Sequence, residues 1–134
     1  IGDSKWFIEK ASKSACDRSI CERPIGKNQG IQFPIATAYA QMRAAELMVT
    51  QSLTLYEEGA NPGEEANIAK LLAADASWAA AEACIQTFGG FGFAEEFDVE
   101  RKYREARLYQ VAPISTNLIL SYIAEHILDM PRSY

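Results

Sequence analysis

Apolar residues recur every three or four positions along most of the chain, and Gly and Pro mark the breaks between the periodic stretches. Ile1, Ile8, Ala11 and Ala15 fall near one face and predict a helix from Ile1 to about Ile20. Trp6 and Phe7 lie off that stripe. Pro24 ends the pattern, and Glu22 to Asn28 reads as a linker. The longest periodic stretch runs from about Gly30 to Glu58, where Ile31, Ile35, Ala38, Met42, Ala45, Val49, Ser52 and Tyr56 step by fours and threes. A helix of that length is about 43 Å long, and its stripe suits packing along another helix. Pro34 is tolerated because it lies in the opening turns.

Gly59 to Gly63 is a clear break. A third helix is predicted from Glu64 to Phe88, with Leu71, Ala74, Trp78, Ala81, Ile85 and Phe88 as its stripe. Ala69, Ala73, Ala76, Ala80 and Ala83 line its other face and permit close approach. Asp98 is placed to cap a short helix through Tyr109. After Pro113 a last helix is predicted from about Ile114 to Leu128, with Leu120, Ile123 and Ile127 inward, and Pro131 stops it. Strand signals are absent. The fold class is all-α: an antiparallel up-and-down helical bundle of the four-helix type with short connections, forming a single domain over 1–134.

Composition narrows the function. The chain is long enough for one core but hardly two. A net charge of −5 argues against a nucleic-acid surface. No apolar run reaches the length of a membrane span. The three cysteines, Cys16, Cys21 and Cys84, are odd in number and lack metal-ligand spacing, which points to a reducing cytoplasm. The chain opens at Ile1 and runs at once into helical sequence, which suggests a fragment of a larger protein. The long helix and the Ala-rich helix carry more apolar surface than one small bundle can cover. Association as a dimer, or as half of a tetramer, is expected.

Candidate chemistry is sparse. The single histidine, His126, near the end of the last helix, reads as a solvent-facing or dipole-stabilising residue. The paired carboxylates (Glu57 with Glu58, Glu64 with Glu65, Glu95 with Glu96) read as solvated charge, and no cluster has metal-ligand spacing. One stretch is unusual: Gln86 to Phe93, reading Q-T-F-G-G-F-G-F, packs Gly89, Gly90 and Gly92 at the end of a helical run. Gly costs about 1 kcal/mol in a helix interior relative to Ala, so the helix ends here. On residue types alone, a C-cap and tight turn outweighs a ligand site. The glycines close a helix instead of opening one after a strand, so this is not a dinucleotide fingerprint.

Gln86-x-x-Gly89-Gly90-x-Gly92-Phe93, followed by Tyr103-Arg104-Glu105-Ala106-Arg107, resembles the signature of the acyl-CoA dehydrogenase family, with Glu105 where the family has Asp. Upstream, Ala15-x-x-Arg18-x-x-Cys21-Glu22-x-Pro24-Ile25 to Gln29 is similar to the family's A-x-x-R-x-x-F-G-x-P-I-x-x-x-Q. The resemblance covers nearly the whole chain. It implies the C-terminal helical domain of an FAD flavoprotein that dehydrogenates acyl-CoA thioesters and passes electrons to a partner protein. In that family the domain supplies oligomer contacts and part of a neighbouring subunit's FAD site.

The cofactor-binding residues the resemblance implies are Arg18, Gln86, Gly90, Ser115 and Asn117. Arg18 matches the arginine that reaches the FAD diphosphate across a dimer. A guanidinium is permanently charged and forked for phosphate oxygens. Gln86 and Gly90 match adenosine-diphosphate contacts, and Ser115 and Asn117 match positions beyond the catalytic loop. For Arg18 the alternative is a surface ion pair with Asp17 or Glu22, and for Ser115 it is helix capping. Cys21 stands where the family has an aromatic residue, and Glu22 where it has Gly. The family's catalytic Glu falls on Pro113, which cannot act as a base. Other members carry their carboxylate on the first helix, at a position before Ile1. No catalytic residue is therefore assigned, and this chain alone is expected to be inactive. An alternative is a non-catalytic helical partner subunit that has lost the base.

Overall fold

The computed structural model describes residues 1–133 and is predominantly helical. Helix α1 spans Gly2–Asp17, α2 Gln29–Glu57, α3 Gly63–Phe88, α4 Val99–Leu108 and α5 Thr116–Tyr122. The all-α bundle holds, but with five α-helices among the described residues where a four-helix type was expected. Two-residue strands β1 (Ser19–Ile20) and β2 (Arg23–Pro24) form an antiparallel hairpin. This departs from the strand-free expectation, because four residues are too few for alternation to show.

Helix α3 is the centre of the bundle. Helix α2 packs antiparallel to it, and α1 and α4 cover its remaining sides. This explains why α3 buries both of its predicted faces. Ala74, Ala81 and Phe88 of the stripe are buried, and so are Ala69, Ala76, Ala80 and Ala83 of the alanine face. The main core joins Phe7 and Ala11 of α1, Ala38 of α2, Ala80, Ala81, Cys84 and Phe88 of α3, and Val99 and Ala106 of α4. Alanine dominates it, so the helix backbones can approach closely.

Several expectations shift by a turn or a face. Helix α1 ends at Asp17, not near Ile20, because Arg18 turns extended and leads into the hairpin. Its buried residues are Ser4, Phe7, Ala11 and Ala15, so Phe7 belongs to the stripe and Ile1 and Ile8 flank it half-buried. In α2 the stripe is buried through Ala38, Met42 and Ala45, but Tyr56 is exposed where the helix outruns its partners. Asp98 is left-handed and makes no capping bond; its carboxylate instead accepts from Arg101 Nε at 2.9 Å. Helix α5 begins at Thr116, not Ile114, and continues as a π-helical turn over Ile123–Ile127. Ile119 is its buried residue, Leu120 is exposed, and Ile123 and Ile127 are half-buried.

The hairpin tip is strained. Cys21 and Glu22 form a two-residue loop with φ of 51° and 62°. Both central residues of such a turn take positive φ, a conformation that costs an L-residue about 1 kcal/mol and suits Gly. Glu22 is also the position where the family pattern carries Gly. We expect Glu22→Gly to stabilise the chain by about 0.5–1 kcal/mol in chemical denaturation. An unchanged or lowered midpoint would show that the tip is not strained.

All three cysteines are free thiols; Cys16 and Cys21 are exposed and Cys84 is fully buried. Burial raises the Cys84 thiol from 9.0 to about 12, and Lys10 pulls weakly the other way. In the unfolded chain the thiol ionises near 9, while in the folded chain it holds its proton to about 12. The unfolded state therefore binds fewer protons over that range, and the Cys84 contribution to stability falls as pH rises from about 9 to about 12. A thiol reagent at pH 8 should modify two cysteines quickly and the third only at the rate of unfolding. Three equally fast thiols would contradict the burial.

Candidate functional site

The chain reverses at two places that lie far apart in sequence and meet in space: the end of α1 and the end of α3. Helix α3 stops at Phe88 because Gly89 takes φ 57°. A tight 3₁₀ segment over Gly89–Phe93 then folds back, and a Cβ on Gly92 would come within 3.1 Å of the Ile85 side chain. Arg18, just past α1, reaches this turn. Its Nη1 donates to the Phe88 carbonyl at 3.2 Å across 70 positions, and its guanidinium lies 5.5 Å from the centre of the Phe91 ring. The alternative of an ion pair to Asp17 or Glu22 is not what the structure shows. Arg18 satisfies a free carbonyl at a helix C-terminus, where a cation also suits the dipole.

Gly90 adjoins this contact on the exposed side. A Cβ there would meet nothing within 4 Å, so its backbone faces open space. Gln86 lies one turn before Gly90 and is exposed. It borders a groove between α2 and α3 that includes Phe33, Thr37, Gln41 and Glu82. Arg18 and the glycine turn therefore come together, whereas Gln86 borders a groove that Arg18 does not line.

Ser115 and Asn117 sit at the start of α5. Ser115 Oγ accepts from Leu118 N at 3.3 Å, the capping alternative raised for it, and Asn117 is exposed. Among the described residues, no hydrogen bond ties either one to Arg18 or Gln86. Pro113, after a cis peptide bond, borders a separate cavity of about 500 Å³ with Ile1, Asp3, Lys70, Ser77 and Tyr109. Lys70 Nζ donates to the Tyr109 carbonyl there, and desolvation lowers its pKa. Asp3 anchors Lys102 at 2.6 Å, tying α1 to α4.

Sequence reasoning missed the surroundings of Arg18. A cavity of about 410 Å³ beside it is lined by Lys10, Lys13, Ser14 and Asp17 of α1 and by Phe88, Phe91 and Phe97. Lys10, Lys13, Ser14 and Asp17 fall three, four and seven apart, so one helix face presents them. That spacing was readable; the proximity of the three rings was not. The run from Arg101 to Arg107 is occupied internally. Arg101 pairs with Asp98 and Glu105, Arg104 with Glu100, and Arg107 lies 5.3 Å from the Trp78 ring.

Five helices centred on α3, with the end of α1 meeting the glycine turn at the end of α3, define a helical-bundle domain. Residues 1–128 match the family model for the acyl-CoA dehydrogenase C-terminal domain, and the chain belongs to that family. It is 35% identical over 136 residues to acyl-CoA dehydrogenase FadE12 of Mycobacterium tuberculosis, covering 100% of this chain and 35% of that protein. Butyryl-CoA dehydrogenase from Megasphaera elsdenii matches with a TM-score of 0.90 at 28% identity, over 95% of this chain and 33% of that one. A glutaryl-coenzyme A dehydrogenase in complex with glutaryl-CoA matches with a TM-score of 0.91 at 26% identity, over 98% and 34%. The chain thus spans about a third of the length of the relatives it matches. No helix among the described residues is long and apolar enough to cross a membrane.

Proposed function

We propose that the chain is the C-terminal domain of a larger FAD-dependent acyl-CoA dehydrogenase. It would bind the diphosphate portion of a neighbouring subunit's FAD through Arg18, Gln86 and Gly90. The observation that carries this reading is the meeting of Arg18 with the Gly89–Gly90 turn. A guanidinium with donors to spare lies beside a glycine backbone open to solvent, which fits a diphosphate. Ser115 and Asn117 would lie toward the rest of the cofactor. FAD, when bound, would accept the hydride lost from the acyl chain. This domain would orient the diphosphate and form one wall of the acyl site, and electrons would pass on to an electron-transfer partner.

Association through this domain, as a dimer, tetramer or hetero-oligomer, is supported by exposed Phe33, Tyr39, Leu47, Leu53 and Tyr56 along α2. The three free thiols suit the cytoplasm. Pro113 takes no proton, so a catalytic carboxylate would have to come from outside residues 1–134. The same proline favours a second reading, a non-catalytic partner subunit that keeps the bundle and lacks a base.

The test is to purify the full-length flavoprotein and this chain, record their flavin absorbance, and assay both with acyl-CoA and an artificial electron acceptor. The first reading expects a yellow, active full-length protein and a colourless, inactive chain. A full-length protein that binds FAD without turnover favours the partner subunit. Turnover by the chain alone would overturn both.

A further inference from the structure

We propose that Lys13 acts with Arg18 as a second cationic contact to the cofactor's diphosphate; this rests on the FAD reading above. The cavity beside Arg18 has one wall from α1, carrying Lys10, Lys13 and Asp17, and another of three aromatic rings, Phe88, Phe91 and Phe97. With Arg18, three cations face one carboxylate, so the cavity is net positive in a chain that is net negative.

The cations differ in availability. Lys10 is half-buried, with its ammonium 5.3 Å from the Trp6 ring. Arg18 is held by the Phe88 carbonyl and the Phe91 ring. Lys13 is exposed and makes no hydrogen bond or ion pair among the described residues. It lies five positions before Arg18 and lines the same cavity, so an anion on the exposed side of Arg18 is within reach of its flexible stem.

The rings add a second element. Phe91 is 57% exposed, yet it is flanked by Arg18 at 5.5 Å and by Phe97 at 5.7 Å. An exposed ring held between a guanidinium and another ring fixes where that guanidinium lies. Arg18 is thereby placed in advance, and Lys13 supplies the adjustable charge. This combination fits a diphosphate, which offers several oxygens to separate cations. It fits an uncharged ligand poorly.

The experiment uses the full-length flavoprotein, stripped of flavin and titrated with FAD at two salt concentrations. Lys13→Ala should weaken FAD binding about fivefold to tenfold, and Lys13→Glu more. Lys13→Arg should restore near-normal binding. Lys13→Ala should also flatten the salt dependence of the FAD dissociation constant, a readout that a packing role would not move. Unfolding of the apoprotein should not change, because Lys13 is exposed. If Lys13→Ala binds FAD within twofold of wild type with the same salt dependence, while Arg18→Ala loses it, this proposal is wrong and the FAD reading survives. A full-length protein that takes up no FAD at all would overturn both.

Discussion

On the FAD reading proposed above, Arg18→Ala should strip the full-length protein of most of its FAD during gel filtration. A charged hydrogen bond lost from a partly buried site costs about 1.5–3 kcal/mol, or roughly tenfold to a hundredfold in affinity. Arg18 is half-buried against the α3 end, so its charge is less screened than that of a free surface arginine. The same substitution also removes the partner of the Phe88 carbonyl. That carbonyl sits at a helix end that water can reach after truncation, so the stability loss should stay near 1 kcal/mol. The two effects separate by measurement. The ratio of flavin to protein absorbance should collapse, while the unfolding midpoint of the apoprotein moves only slightly. Arg18→Lys keeps the charge and loses the fork, so its flavin content should fall between the two. Stoichiometric FAD in Arg18→Ala would show that the cofactor contact lies elsewhere on the domain.

Much of this was legible because helices write their partners into a period of three to four. The eight-residue stripe of α2 contained its three buried residues, Ala38, Met42 and Ala45, though Tyr56 at its end is exposed, and the breaks at Gly59–Gly63 and Gly89–Gly92 fell where the helices end. What the period could not show was how many neighbours a helix has. Helix α3 buries two faces because it lies at the centre, and nothing in its own sequence separates a second core face from an alanine-rich exposed one. The hairpin was invisible for a different reason. Two residues per strand give no alternation, and the positive φ at Cys21 and Glu22 is carried by residues that do not advertise it. The site was legible only through the family resemblance. Arg18 and Phe88 are 70 positions apart, and their contact depends on the packing of α1 against α3. The helical spacing of Lys10, Lys13 and Asp17 was readable, but their closeness to Phe88, Phe91 and Phe97 depends on that same packing.

Phe7→Ala should be the most destabilising single truncation in this core, by about 3–5 kcal/mol. Phe7 is fully buried and, among the described residues, is the largest side chain with almost no exposure. It meets Trp6 edge to face at 5.2 Å and joins a core otherwise built mainly from Ala11, Ala38, Ala80, Ala81, Ala106 and Cys84. Those neighbours decide the size of the effect. Alanine has no rotamer that could swing into the space left by the ring, and the helices are held apart by close backbone packing elsewhere. The cavity would therefore persist instead of collapsing, which places the loss toward the upper end of the range. Helix propensity works the other way, since Ala is favoured over Phe, but by only about 0.5 kcal/mol. Phe7→Leu should recover more than half of the loss by refilling much of the volume. Urea titration followed by far-UV dichroism measures both variants. A cost below about 1.5 kcal/mol for Phe7→Ala would mean that α1 can slide onto α3, and that the alanine-lined core is less rigid than its burial implies.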